Sequence, residues 1–201
     1  MKKVLSMVVA AMMATLSVQA QEEAYLKHEI GVSYGALSNS DWMSIGDVLG
    51  TYLFSFGQFS YDDTEFTGPI GLEYFYHVNE VVGIGAIGVY ASETKDMLMG
   101  GKKYGEAKST YITLLPAAKF NWLRKKYFGM YSKVGAGVCI RTRNEDYTLN
   151  SESHDDSEHD VLFNFQVTGI GLEVGSPNVR AFGEIGVGEQ GIFVAGLRCK
   201  F

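Results

Sequence analysis

Eight ionisable residues of this chain have the types and the spacing to do chemistry together. Glu29, Glu73, Glu173 and Glu184 are the acids; Lys119, Lys133, Arg141 and Arg198 are the bases. Each falls on the polar side of a segment whose other side is apolar, so all eight are expected to face one enclosed interior. Four acids and four bases in a narrow space must pair, because an unpaired buried charge is very costly. The spacing predicts Glu73 and Glu184 as central acids, with Lys133 and Arg141 as their basic partners. Such a lining suits a closed, salt-bridged core that holds the fold in register. A gated pore is the alternative.

Three other groups carry weaker chemistry. Glu145, Asp146, Glu152, Asp155, Asp156, Glu158 and Asp160 surround His154 and His159, with no Lys or Arg between positions 144 and 160. Imidazoles and carboxylates can bind divalent metal, but a His-x4-His spacing on a loop fixes no geometry, and like charges in a row signal a solvated loop. No metal site is assigned there. A hydrolase would need a nucleophile beside a base, and no Ser stands next to His28, His77, His154 or His159 on one outward strand face. No catalytic residue and no cofactor is therefore expected. Cys139 and Cys199 fall on opposite faces of non-adjacent strands, which predicts two free thiols.

The elements that position these residues are strands. The chain has 201 residues, 46% hydrophobic and 13% aromatic, with 24 Gly and 3 Pro. That is too apolar for a disordered chain and fits β-structure with tight turns. The formal charge of −6, without a long basic cluster, argues against nucleic acid as a partner. No apolar run beyond residue 20 reaches the ~18 residues of a spanning helix. Segments of period-2 alternation recur instead, at about 27–35, 66–78, 81–91, 109–122, 127–142, 161–174, 179–188 and 192–201. The third is apolar on both faces and its parity stays open. The sixth changes parity near Thr168 and Gly169, which predicts a β-bulge. Pro116 inside the fourth predicts a bulge or a skipped bond.

Connections alternate between long (36–65, 92–108, 143–160) and short (79–80, 123–126, 175–178). Long outside loops and short turns on the other side are the pattern of transmembrane barrels. In the first long connection Ile45, Val48, Leu49, Tyr52, Leu53 and Phe56 have helical spacing, with Ser40 or Asp41 as N-cap. The fold expected is therefore all-β: an eight-stranded antiparallel up-and-down transmembrane barrel with a short helix in its first outside loop.

Residues 1–20 read as a signal peptide. Lys2 and Lys3 precede an apolar run from Val4 to Leu16, and Val18 and Ala20 form a small-residue cleavage site before Gln21. Its removal leaves a barrel domain of 21–201 and takes the formal charge from −6 to −8 by the loss of two lysines.

On the stretches Gly68-Pro69-Ile70-Gly71-Leu72-Glu73-Tyr74, Leu115-Pro116-Ala117-Ala118-Lys119-Phe120-Asn121-Trp122 and Ala181-Phe182-Gly183-Glu184-Ile185-Gly186, the chain resembles the small eight-stranded outer-membrane barrels of outer membrane protein A type, in the short form without a periplasmic domain. The resemblance covers residues 21–201 and implies an outer-membrane location, a monomer, and outer-membrane lipids and the barrel-assembly machinery as partners. It implies that Phe201, ending an alternating apolar face, is part of the insertion signal. It names no single activity. A structural or surface-interaction protein is the leading expectation. A narrow pore or small-ligand conduit comes next, and a lipid-modifying enzyme last.

Overall fold

A computed structural model describes residues 26–40, 59–99, 102–149 and 152–201. Eight strands follow in order: β1 (His28–Ala36), β2 (Phe59–His77), β3 (Val82–Met99), β4 (Lys102–Arg124), β5 (Phe128–Leu149), β6 (Glu152–Gly175), β7 (Val179–Gly188) and β8 (Phe193–Lys200). Each pairs with its sequence neighbours, and β1 pairs antiparallel with β8, so the sheet closes on itself. Closure leaves no edge in the barrel wall. Ile30, Val32, Ile70, Leu72, Ile112, Leu114, Val138 and Leu197 stand exposed on the outside, while Glu29, Glu73, Lys119, Lys133 and Arg198 are buried inside. Apolar outside and charged inside inverts the polarity of a water-soluble protein and suits a barrel wall surrounded by lipid.

The apolar alternation marks only part of β2 to β6, while it matches β1, β7 and β8 to within a residue. β2 to β6 run well beyond it, and most of the expected long connections at 92–108 and 143–160 is strand: β3 runs to Met99, β4 starts at Lys102, β5 runs to Leu149 and β6 starts at Glu152. Beyond the apolar belt the sequence loses its strict alternation, but the backbone ladder needs no apolar side chain to continue. Pairing between β1 and β2 reaches no further than Tyr34↔Ile70, and that between β6 and β7 begins at Gln166↔Gly188. Among the described residues, the upper parts of β2 to β6 therefore rise above β7, β8 and β1 as an open five-stranded sheet. One line of positions across it is acidic on every strand: Asp62↔Asp96, Asp96↔Glu106, Glu106↔Asp146 and Asp146↔Asp155. Lys103 bridges Asp96 and Glu106 within it, at 2.8 and 2.6 Å.

The irregular points resolve separately. The slip in β6 is a register shift between Thr168 and Ile170 against β7. Pro116 pairs in register with Ala86 of β3, and toward β5 the pairing skips Leu115 and Pro116 and resumes at Ala117↔Gly135 in the same register. This is a skipped bond, as expected where the ladder lacks a donor. In β3 the odd positions Ile87, Val89 and Ala91 are buried, and Ile84 and Tyr90 face out. The helix expected around 41–56 lies outside the described residues; the backbone turns helical at Asn39 and Ser40, the last described before it.

Candidate functional site

The interior is filled by two polar layers. The first lies toward the short turns. Alternation brings one or two ionisable side chains inward from nearly every strand: Glu29 of β1, Glu73 of β2, Lys119 of β4, Lys133 of β5, Glu173 of β6, Arg180 and Glu184 of β7, Arg198 and Lys200 of β8, all buried. Arg198 is the hub. Its guanidinium lies 2.7 Å from Glu73, 2.9 Å from Glu173, 3.4 Å from Glu29 and 3.5 Å from Glu184. It stands over the rings of Phe182 and Tyr131, at 3.9 and 4.5 Å, and donates to the Tyr131 hydroxyl at 2.8 Å. Lys133 bridges Glu73 and Glu184, each at 2.8 Å. Lys119 donates to Glu29 at 2.6 Å, and His77 shares that carboxylate at 3.1 Å.

Glu173 accepts from Arg180 at 2.8 Å and from Lys200 at 2.5 Å. Arg180 also donates to the backbone carbonyls of Ser176, Lys125 and Lys126, at 3.2, 3.0 and 3.1 Å, which locks two turns to the floor of the barrel. Glycine makes the crowding possible. A Cβ at Gly171 would lie 2.4 Å from the Tyr131 ring, and one at Gly129 would lie 2.8 Å from a Glu173 carboxylate oxygen. Charge-assisted contacts of this length, with most lone pairs and protons used, are what permit ions inside a wall of low dielectric.

The second layer is made by the short β7–β8 connection, which folds inward instead of outward. Glu189 and Gln190 in it are fully buried. Gly188 and Gly191 take positive φ, 136° and 108°, the turn that side chains would resist. Glu189 accepts from Ser40 at 2.6 Å, Asn164 at 2.7 Å and Thr113 at 3.1 Å. The Gln190 amide N–H donates to Gln166 at 2.7 Å. Burial pushes the Glu189 carboxyl above its usual range, and its three side-chain donors, with the Ser40 backbone N–H, only partly restore it. No cation pairs with it among the described residues. An apolar group of Phe75, Ile87, Val89 and Leu115 fills the β2–β4 side of the interior.

The structure moves one expected pairing. Arg141 does not reach Glu73 or Glu184. It lies toward the mouth on β5, half-buried, and pairs with Asp160 directly across on β6 at 2.7 Å. Arg198 takes the central place, because β8 closes against β1 and carries its position 198 to the depth of Glu73. Arg180 and Lys200 belong to the network and were not singled out from sequence. Both signals were present: Arg180 shares parity with Glu184, and Lys200 with Arg198. Cys139 is buried and Cys199 exposed, both free.

The acidic segment is strand, not loop. His154 stands opposite Tyr147, and His159 opposite Thr142, at positions of opposite parity. Thr142 Oγ1 and His159 Nδ1 lie 3.0 Å apart on the exposed face. A nucleophile–base pair works when a third group orients the base, and no carboxylate holds His159 among the described residues. No group of metal-ligating side chains is assembled among the described residues.

The chain is a small eight-stranded antiparallel β-barrel. No family model and no curated protein matches it. Among solved structures it is similar to Ail, the attachment invasion locus protein of Yersinia pestis. In complex with the heparin analogue sucrose octasulfate, Ail aligns at 14% identity with a TM-score of 0.44, over 88% of this chain and 100% of that one. Without that ligand it aligns at 14% identity with a TM-score of 0.41, over 88% and 99%. The strand order and closure stand on the pairing described above.

Proposed function

We propose that the protein is an integral outer-membrane barrel that acts as a surface-interaction protein, with a lumen closed to solutes. The observation that carries this reading is the inverted polarity of a fully packed wall. The outside belt is apolar, and the inside is occupied by an ion-pair network below and the Glu189–Gln190 plug above. An eight-stranded barrel is just wide enough for side chains to fill it. The part left to meet other molecules is the open sheet of β2 to β6, which rises on the side of the long hairpins. In this reading residues 1–20 direct export and are removed, Phe201 serves insertion, and the barrel is a monomer in contact with outer-membrane lipids.

Membrane fractionation with planar-bilayer recording tests it. The expected result is a heat-modifiable band in the outer-membrane fraction and no steady conductance. Steady conductance from the purified barrel would favour a narrow pore, and recovery in the soluble periplasmic fraction would overturn the membrane assignment.

A further inference from the structure

The outer wall carries a groove that the lumen network does not use. It encloses about 670 Å³, within the roughly 300–1,000 Å³ of ligand pockets. Its floor is Ala181, Gly183 and Ala195, and Leu172 and Phe193 stand at its sides. Register carries it from Phe128 on β5 through Val174 to Ala181, and, two residues along β7, from Gly183 through Ala195 to Tyr34 on β1. Four interstrand steps at about 4.8 Å give roughly 19 Å, the scale of an extended hydrocarbon chain. The groove lies among outward residues of the apolar belt, so its occupant is a hydrocarbon.

One end of the groove meets a charged turn. Phe128 follows Arg124-Lys125-Lys126-Tyr127, three consecutive cations and an aromatic. The other short turns, Val78 to Val81 and Ser176 to Asn178, carry no Lys or Arg. Trp122 and Tyr127 are 54% and 60% exposed beside the cations, and Lys126 lies 5.4 Å from the Tyr127 ring centroid. Exposed Trp and Tyr mark the boundary between apolar core and headgroups. The turn is also rigid. The Lys125 N–H donates to Phe128 O at 2.8 Å, the Gly175 N–H to Tyr127 O at 3.0 Å, and Arg180 takes the Lys125 and Lys126 carbonyls. Lys125 and Lys126 have no carboxylate partner among the described residues.

We propose that groove and turn together hold one anionic phospholipid, its acyl chain along the groove and its phosphate against Lys125 and Lys126. The proposal rests on the membrane reading above, because it takes the turn to lie at headgroup depth. A hydrocarbon alone would leave the two ammonium groups unmatched. A soluble phosphate alone would leave the groove without an occupant.

The test uses the full barrel in detergent micelles, with native mass spectrometry after addition of phosphatidylglycerol, phosphatidylcholine or glycerol phosphate. Folding is checked first by heat-dependent gel mobility, and membrane fractionation is scored separately, so failure of the membrane reading is distinguishable from failure here. The unmodified barrel should retain one phosphatidylglycerol in preference to phosphatidylcholine and should not retain glycerol phosphate. Lys125→Gln with Lys126→Gln should lower phosphatidylglycerol retention about tenfold, since juxtamembrane cations act on anionic headgroups additively.

Gly183→Leu fills the floor, where an added Cβ would meet nothing closer than 4.0 Å, so the fold has room for it. That variant should lower retention of both lipids. Lys108→Gln, at the opposite end of β4, should change neither. Equal retention of the two lipids by the unmodified barrel, no effect of the paired Lys variant, or no effect of Gly183→Leu would each overturn the proposal. Retention of glycerol phosphate as firm as that of phosphatidylglycerol would assign a free phosphate instead and overturn it too.

Discussion

The lower and upper layers of the interior solve one problem in opposite ways. Below, four buried carboxylates meet five buried cations, and every acid has at least one cation within 2.8 Å. Above, Glu189 is equally buried and is held by neutral donors: two hydroxyls, one side-chain amide and the Ser40 backbone N–H. The lower layer draws its groups from regular strands, whose alternation delivers long side chains at matched depths. The upper layer is a loop folded inward, and Ser40, Thr113, Asn164 and Gln166 bond to it. The upper layer contains a carboxyl poised to respond to pH.

The largest effect should come from the hub. Arg198→Ala leaves Glu73 and Glu173 with fewer counter-charges in a dry interior, and loss of one member of a buried network costs about 3–5 kcal/mol. Urea unfolding in micelles reads this directly. A loss below about 1 kcal/mol would mean that water fills the lower layer and would move the pore reading forward.

Glu189 should respond to pH. Its carboxyl is raised in the folded state by burial. Its stabilising contribution is therefore complete below the ordinary carboxylate pKa and is lost as pH rises through the raised folded value. Glu189→Gln should remove that slope and cost about 1 kcal/mol at acid pH through imperfect hydrogen bonding. Thermal midpoints of both proteins, followed upward from acid pH, provide the check; parallel curves would show that Glu189 contributes no pH dependence.

Smaller effects are expected at the rims. Phe201 stacks on His28 with centroids 5.4 Å apart, and the two residues exchange backbone hydrogen bonds of 2.8 and 2.9 Å. Deleting Phe201 should cost about 1 kcal/mol of barrel closure, measured as a lower yield of heat-modifiable barrel. Arg141→Ala should cost under about 1 kcal/mol, as for exposed pairs, because Arg141 and Asp160 are partly open to solvent. Urea unfolding should place it beside Lys103→Ala. A loss at Arg141 as large as at Arg198 would break the distinction between core network and mouth.

Much of this was legible from residue order. Period-2 alternation exposes the inward parity of Glu29, Glu73, Lys119, Lys133, Glu173, Glu184 and Arg198, because a strand offers only two faces. It does not expose depth. Arg141 and Arg198 have the same inward parity, yet one lies at the mouth and the other at the centre, since depth follows from the register between strands far apart in sequence. Strand length was hidden for a related reason: alternation reports the apolar belt, and β2 to β6 continue beyond it without strict alternation.

The order of residues alone determined the element type, the number of strands, which side chains face inward, and that the two cysteines stay apart. These depend on local geometry and on the sorting of apolar from polar surface. Tertiary structure alone decided which charges touch, that Arg198 is the hub, that the β7–β8 connection folds inward, and that an apolar groove ends at the Arg124–Lys126 turn. Each of these depends on the closure of β1 on β8 and on the register it imposes, which brings together residues as much as 173 positions apart, as in the backbone bonds between His28 and Phe201. Local alternation carries no information about that registration.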